Sequence, residues 1–269
     1  MTLSIAIAGV TGRMGGALIR AASEARQEIR IVGGTARAGS AALGVDLGTV
    51  VRGRAIGVTA TEDVKRAAAG ADVWVDFATP DATLAALDAL DGTSVRAAIV
   101  GTTGLTDEQE ARVAEAAKRI ALVRSNNFSL GVTLLASLVE QAAAKLGEGW
   151  DIEIVEAHHH RKIDAPSGTA LLLGEAAAEG RGGALKDLRL PPREGVTGKR
   201  PEGGIGFAAI RGGGIIGEHE AVFAAEREVV RLSHQALDRA VFADGALTAA
   251  VWVAGKPPGL YSMRDVLGL

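Results

Sequence analysis

The chain has 269 residues, 48% of them hydrophobic but only 3% aromatic, and a formal net charge of −3. That is room for one large domain or two modest ones, with cores built mainly from Ala, Val, Leu and Ile. The near-neutral balance gives no case for nucleic acid or an acidic membrane surface, and the absence of cysteine excludes disulfides, zinc-thiolate sites and cysteine nucleophiles.

The opening apolar run, Leu3 to Ala8, has no basic stretch ahead of it and is stopped by Gly9, so it is too short for a signal segment or a membrane span. A soluble, cytoplasmic protein is the expectation. After the run come Gly9-Val10-Thr11-Gly12-Arg13-Met14-Gly15-Gly16 and then Ala17 to Ala22 at helical spacing. Strand, glycine turn and helix open a βαβ unit. The spacing Gly9-x-x-Gly12-x-x-Gly15 departs from the strict dinucleotide fingerprint. It still allows a tight turn, close approach of a pyrophosphate and tight helix–strand packing. A plain βα turn is the alternative.

Ile29 to Gly34 reads as the second strand, after which many dinucleotide folds place an acid for the ribose 2′-hydroxyl. Here the chain reads Thr35-Ala36-Arg37. An arginine without an acid favours NADPH over NADH, unless Arg37 is simply a solvated loop residue. Gly39 to Thr61 is glycine-rich and weakly patterned, with a short strand expected near Ile56 to Ala60. Val73 to Phe77 then reads as a buried strand, Asp81 to Leu90 as a helix, Ala97 to Val100 as a strand, Asp107 to Lys118 as a helix and Ile120 to Arg124 as a strand. This alternation means a parallel sheet with helices on both faces, which binds ligands beyond the carboxyl ends of its strands. Those ends are Gly9-Val10-Thr11-Gly12, Phe77-Ala78-Thr79-Pro80, Gly101-Thr102-Thr103-Gly104 and Ser125-Asn126-Asn127-Phe128. All offer backbone N–H groups and short polar side chains.

Gly131 to Lys145 reads as a long helix leaving the first domain. Asp151 to Glu156 alternates as a half-buried strand, and a helix spans Ala170 to Glu179. Gly180 to Gly204 reads as a long loop, and Ile205 to Ile210, Gly214 to Ala224 and Glu228 to His234 as three strands. Strands without intervening helices predict an open, mostly antiparallel sheet. Its face, expected to carry Val222, Phe223 and Ile215, calls for cover by self-association. Ala236 to Val253 is helical again, and Gly255-Lys256-Pro257-Pro258-Gly259 breaks it before a short helix near Ser262 to Leu267. The tail is expected to pack back on the first domain. The fold class is therefore α/β, with a Rossmann-like parallel-sheet nucleotide domain (1–127 with 238–269). An α+β domain with an open mixed or antiparallel sheet (128–237) serves substrate binding and oligomerisation.

Between the strand ending at Glu156 and the helix at Ala170 lies the densest chemistry. Three of the five histidines stand in a row, His158-His159-His160, followed by Arg161, Lys162 and Asp164, then Pro166-Ser167-Gly168-Thr169. If the stretch stays extended, His158, His160 and Lys162 point to one side and His159 to the other. Imidazoles exchange protons near neutral pH, and an ammonium stabilises developing negative charge. Ser167 reads as a helix cap, and capping N–H groups bind carboxylates. A small anionic, carboxylated substrate beside a nucleotide fits these groups. A histidine metal site lacks a completing carboxylate pair or second cluster, and a solvated surface run is the other alternative. His219 and His234 read as isolated structural histidines.

The run Glu156-x-His158-His159-x-x-Lys162-x-Asp164-Ala165-Pro166-Ser167-Gly168-Thr169-Ala170 closely resembles the signature of the dihydrodipicolinate reductase family. Gly12-Arg13-Met14-Gly15, Gly101-Thr102-Thr103-Gly104, Asn127-Phe128-Ser129, Gly217-Glu218-His219 and Met263-Arg264-Asp265-Val266-Leu267 are similar to that family too. The resemblance runs nearly end to end. It implies NAD(P)H-dependent reduction of 4-hydroxy-tetrahydrodipicolinate to tetrahydrodipicolinate, with loss of water, in diaminopimelate and lysine biosynthesis.

By the same resemblance His158 is the proton donor/acceptor, Lys162 a proton donor, and His159, Gly168 and Thr169 contact substrate. Cofactor contacts map to Gly9, Val10, Thr11, Gly12, Arg13, Met14, Arg37, Gly101, Thr102, Thr103, Ser125, Asn126, Asn127 and Phe128. No metal is implied, and a homotetramer is. Where some members carry an acid this chain has Ala36, which again favours NADPH. His160 has no assigned role. Two other readings share the first-domain features: an NAD(P)-dependent oxidoreductase acting on a sugar or amino-acid carbonyl, and a non-catalytic nucleotide sensor.

Overall fold

The computed structural model describes residues 2–24 and 29–269. It forms two compact units, one running up to Ser129 and resuming over Ala240–Gly268, the other Leu130–Arg239. In chain order the first unit starts with β1 (Leu3–Ile7), α1 (Arg13–Glu24), β2 (Ile29–Gly34), α2 (Leu47–Val50), α3 (Val64–Ala67), β3 (Val73–Asp76), α4 (Pro80–Ala89), β4 (Ala97–Val100), α5 (Asp107–Ala116) and β5 (Ala121–Arg124). The second unit holds α6 (Leu130–Leu146), β6 (Asp151–His158), α7 (Gly168–Gly180), α8 (Leu185–Leu188), β7 (Ile205–Arg211), β8 (Glu218–Ala224) and β9 (Val229–Gln235). The chain then returns to the first unit as α9 (Ala240–Val253), β10 (Gly259–Tyr261) and α10 (Met263–Leu267).

Among the described residues the first unit carries a six-stranded sheet in the order β10-β5-β4-β3-β1-β2, every pair parallel. All four residues of β3 and of β4 are buried, as expected of strands covered on both faces. On one side Trp74, Leu84, Leu87, Val113 and Leu122 form a continuous core with α4 and α5. On the other, α1 and α9 lie side by side, with α9 also against β4 and β5. Local signals start the helices: Thr106 and Gln109 form a capping box on α5, and Ser262 and Asp265 another on α10, which ends at left-handed Gly268. Because β2 and β3 flank β1, the chain reverses its direction of travel across the sheet at β1, and the crevice beyond that strand is the ligand position of such folds. No helix among the described residues is long and apolar enough to cross a membrane.

The second unit has a four-stranded sheet, order β7-β6-β8-β9, with β6–β7 parallel and the other two pairs antiparallel. Helices α6 and α7 pack against each other and cover one face, burying Leu135, Val139, Ile152, Ile154, Leu173 and Phe223. Each such side chain contributes about 1.5–3 kcal/mol by leaving water.

Several elements differ from the sequence expectation. Phe223 is not on the open face: it pairs with Ile152 and shares its helix-covered side, while Val222, one residue away, takes the open side with Ile210 and Val229. Ile215 lies in the turn before β8. Val222 is on the open side as expected, but neighbouring residues of a strand point to opposite faces, so Phe223 cannot share that side with it. Thr59, Ala60 and Thr61 make isolated bridges to Asp46, Leu43 and Thr35 in place of a strand over Ile56 to Ala60. The long loop contains the one-turn helix α8, and α9 starts at Ala240 because Ala236 N–H donates to Gly217 O and prolongs the β8–β9 ladder. Strand β10 went unread: three residues carry no period, and only the open edge beside β5 makes them a strand.

Candidate active site

At the carboxyl end of β1 the chain turns through Gly9, whose φ of +63° suits glycine. Gly12 N–H donates to Gly9 O at 2.8 Å, and Val10 N–H donates to Thr35 O at 2.9 Å, fastening the turn to the end of β2. A Cβ at Gly15 would lie 2.4 Å from Gly9 O, so α1 meets the turn backbone to backbone. Thr11, Gly12 and Arg13 are exposed on this turn, Met14 is half-buried, and the Val10 side chain belongs to the core. An open backbone cradle at a helix N-terminus fits a dinucleotide pyrophosphate. Arg37 is exposed beyond β2, and the neighbouring Ala36 is buried.

Beyond β3 and β4 the side chains serve a different end. Asp76 is fully buried and accepts from Trp74 Nε1 (3.0 Å), Ala78 N (2.9 Å) and Thr83 Oγ1 (2.9 Å). Burial pushes its carboxyl up, against the pull of those hydrogen bonds. The Thr83 and Thr102 hydroxyls stand 2.6 Å apart in the same network. Thr102 and Phe128, both expected at the cofactor, are therefore turned inward, Phe128 edge-on to Phe77 with centroids 5.2 Å apart. Gly101 is buried against the Phe77 ring, whereas Thr103 and Asn126 are exposed. Ser125 Oγ donates to Asn127 O at 2.6 Å, and Arg124 Nη2 donates to Asn126 Oδ1 at 2.8 Å, ordering the strand-end turn.

In the second unit, strand β6 ends at His158 and the chain turns, Lys162 N–H donating to His159 O at 3.1 Å. The expected alternation through Lys162 stops there. Glu156 and His158, two apart on β6, share a face, and His158 Nδ1 lies 2.7 Å from Glu156 Oε2. Arg211, paired with His158 across β6–β7, grips the same carboxylate with both terminal nitrogens, at 2.7 and 2.6 Å. Ser167 N–H donates to its other oxygen at 3.0 Å. Burial raises the Glu156 carboxyl, but the hydrogen bonds from Arg211 and His158 outweigh it and hold it below the usual carboxylate range. Among the four residues of this group, Glu156 is the most enclosed, with 1% of its side chain exposed.

Ser167 caps α7, accepting from Ala170 N at 3.1 Å, and leaves Gly168 exposed and Thr169 half-buried in the first helical turn. Ser167 Oγ is also 2.9 Å from His219 Nε2, whose ring stands edge-on to His158 with centroids 5.1 Å apart. Burial, reinforced by His158, pushes His219 down to about 4. Lys162 Nζ is 2.9 Å from Asp164 Oδ2, and this contact holds the Asp164 carboxyl low. His159 Nε2 lies 3.2 Å from Arg239 Nη2, and desolvation with the cations Arg161 and Arg239 keeps its imidazole below its ordinary value. His160 is exposed. Among the described residues no group of three or more His, Cys, Asp or Glu is arranged to hold a metal ion.

Thus His158, His159, Lys162 and the Gly168–Thr169 turn lie within one short stretch joined by this network. Sequence reasoning missed Glu156 and Arg211 and took His219 for an isolated histidine. The two-residue spacing of Glu156 and His158 on a strand was a usable signal. Arg211 and His219 are brought in only by strand register, which pairs them with His158 and Glu156.

Residues 3–128 match the family described as dihydrodipicolinate reductase, N-terminus, and residues 131–267 match dihydrodipicolinate reductase, C-terminus. The chain is 51% identical over 265 residues to the 4-hydroxy-tetrahydrodipicolinate reductase of Ruegeria pomeroyi, covering 98% of each chain. It is 50% identical over 267 residues to that of Caulobacter vibrioides, covering 99% of this chain and 97% of the relative. Among solved structures it is similar to dipicolinate-bound dihydrodipicolinate reductase from Paenisporosarcina sp. TG-14, with a TM-score of 0.77, 25% identity, and coverage of 98% of this chain and 99% of that one.

Proposed function

The chain belongs to the dihydrodipicolinate reductase family, and on that premise we propose how its own residues carry out the reduction. It is an NAD(P)H-dependent oxidoreductase of diaminopimelate and lysine biosynthesis, a 4-hydroxy-tetrahydrodipicolinate reductase like its relatives. One hydride and one proton enter the substrate, one water leaves, and tetrahydrodipicolinate results.

The observation that carries the assignment of the substrate site is its charge. Arg211 grips Glu156 and Lys162 pairs with Asp164, while Arg161 and Arg239 stand as cations beside His159. Cations flanking His159, beside the N–H groups opening α7, favour an anionic, carboxylated substrate. We assign the substrate carboxylates to Gly168, Thr169 and His159.

The cofactor would be held by Gly9 to Met14, by the Gly101–Thr103 turn and by the Ser125–Phe128 turn, and when bound it would supply the hydride. Hydride addition to the conjugated imine leaves negative charge shared between the nitrogen and the carbon next to the imine carbon. Lys162 and His158 stabilise that charge, and one of them delivers the balancing proton. The exposed Arg37 and the absence of an acid at Ala36 support NADPH as the preferred donor. The uncovered sheet face carrying Ile210, Val222 and Val229 supports self-association, which we take to be a homotetramer.

The test is oxidation of NADPH, followed by nicotinamide absorbance, with the freshly formed condensation product of aspartate semialdehyde and pyruvate. Steady oxidation is expected. A rate no greater than the enzyme-free control overturns the reading.

A further inference from the structure

Glu156 has no part in the chemistry above, yet it is the most heavily bonded group in the second unit's site. Both Arg211 terminal nitrogens, the Ser167 amide and His158 Nδ1 converge on its two oxygens at 2.6 to 3.0 Å. A carboxylate offers about four lone-pair positions, so these donors saturate it. With Arg211 beside it the group is ionised, and an ionised carboxylate only accepts. The proton between it and His158 therefore sits on Nδ1. The remaining ring nitrogen, Nε2, lies over Gly217, where a Cβ would crowd it at 3.2 Å. Glycine there leaves Nε2 its room.

We propose that Glu156 is the positioning residue of the reaction, holding the Nδ1 proton of His158 so that Nε2 is the nitrogen that exchanges a proton with substrate. The proposal rests on the reading of His158 as a proton donor. Arg211 keeps the carboxylate charged and in plane, as a two-point guanidinium contact does and a lysine would not. The Ser167 bond ties the same carboxylate to the start of α7. Glu156 thus sets the proton donor through Oε2 and touches the start of α7 through Oε1, the oxygen that Glu156→Gln keeps. A histidine whose second nitrogen is held by a buried carboxylate has one tautomer and one orientation.

The experiment combines ring-nitrogen NMR of histidine-labelled protein at alkaline pH, where imidazoles are neutral, with kinetics and dipicolinate binding. The His158 signals are assigned by their loss in His158→Asn. Wild type is expected to show His158 protonated at Nδ1. In Glu156→Gln an amide N–H replaces Oε2, so the ring must accept from it and move its proton to Nε2. The kcat is expected to fall about ten- to a hundredfold, as for lost carboxylate–histidine contacts elsewhere, while KM and dipicolinate affinity change by less than about threefold.

An Nε2-protonated ring in wild type overturns the proposal, as does a folded Glu156→Gln enzyme with kcat within about twofold of wild type. Parallel losses of kcat and dipicolinate affinity also overturn it, since they mark general damage. If Glu156→Gln does not fold, the wild-type tautomer decides. A wild type that reduces nothing defeats the proposed reaction, and the ring spectrum still judges the His158–Glu156 geometry independently.

Discussion

The Ser167 hydroxyl lies 2.9 Å from Nε2 of His219, joining the cap of α7 to a strand 52 residues further along the chain. The histidine is only 5% exposed. This pair fixes where α7, to which we assign the substrate carboxylate, begins, and it sets the first prediction. Burial holds His219 near 4 in place of 6.5. Between those values the unfolded chain takes up the proton and the folded one does not. Stability is therefore complete above about pH 6.5 and falls as the pH drops toward 4, by about 3 kcal/mol in all. Urea unfolding at several pH values should show this slope in wild type and a flatter one in His219→Gln. Equal slopes would refute the assignment.

Replacing the groups we assign to proton transfer should separate chemistry from nucleotide binding. His158→Ala and Lys162→Ala are each expected to lower kcat roughly a hundredfold or more. NADPH affinity, measured by fluorescence titration, should stay at the wild-type value, because every residue assigned to the nucleotide lies in the first unit. A matching loss of NADPH affinity would show that these variants disturb more than the reaction.

Arg37→Ala is expected to weaken NADPH far more than NADH, by about tenfold or more, the worth of a charge-assisted bond to a phosphate. Calorimetric titration with both cofactors decides it, and equal losses would remove Arg37 from the 2′-phosphate.

At Gly15 the added methyl of Gly15→Ala meets Gly9 O at 2.4 Å and Val10 Cα at 2.7 Å. Both are backbone atoms that cannot rotate away, so the turn itself must shift. The expected cost is about 1–3 kcal/mol, seen as a lower melting temperature together with weakened NADPH binding. A substitution with neither effect would mean that the turn yields more easily than its packing suggests.

The open face of the second sheet should hold the oligomer together. Ile210 is 53% exposed and stands with Val222 on that face, next to a Glu153 already paired with Arg193 and Arg200. Ile210→Glu with Val222→Glu is expected to shift the mass measured by light scattering to a smaller species without loss of secondary structure. An unchanged mass would move the interface elsewhere.

Much of this was readable along the chain because it depends on neighbours in sequence. The strand–glycine–helix opening, the buried runs at Val73–Asp76 and Ala97–Val100, the Ser167 cap and the His158–Thr169 stretch each carry their physical reason within a few residues. The periods of 2 and 3.6 are local properties too. They placed the parallel sheet and the second sheet.

Only the tertiary structure decided which groups surround that stretch. Arg211 reaches Glu156 because β7 runs parallel to β6 in one register, and His219 faces Glu156 because β8 runs antiparallel in another. A shift of one residue in either pairing would turn those side chains to the opposite face. The sidedness of Phe223, the strand made of Gly259–Tyr261 and the inward turn of Thr102 and Phe128 are of the same kind. Local sequence determines which side chains alternate and where helices begin. Which face is covered, and which distant charge stands beside His158, follow from packing between segments far apart in the chain.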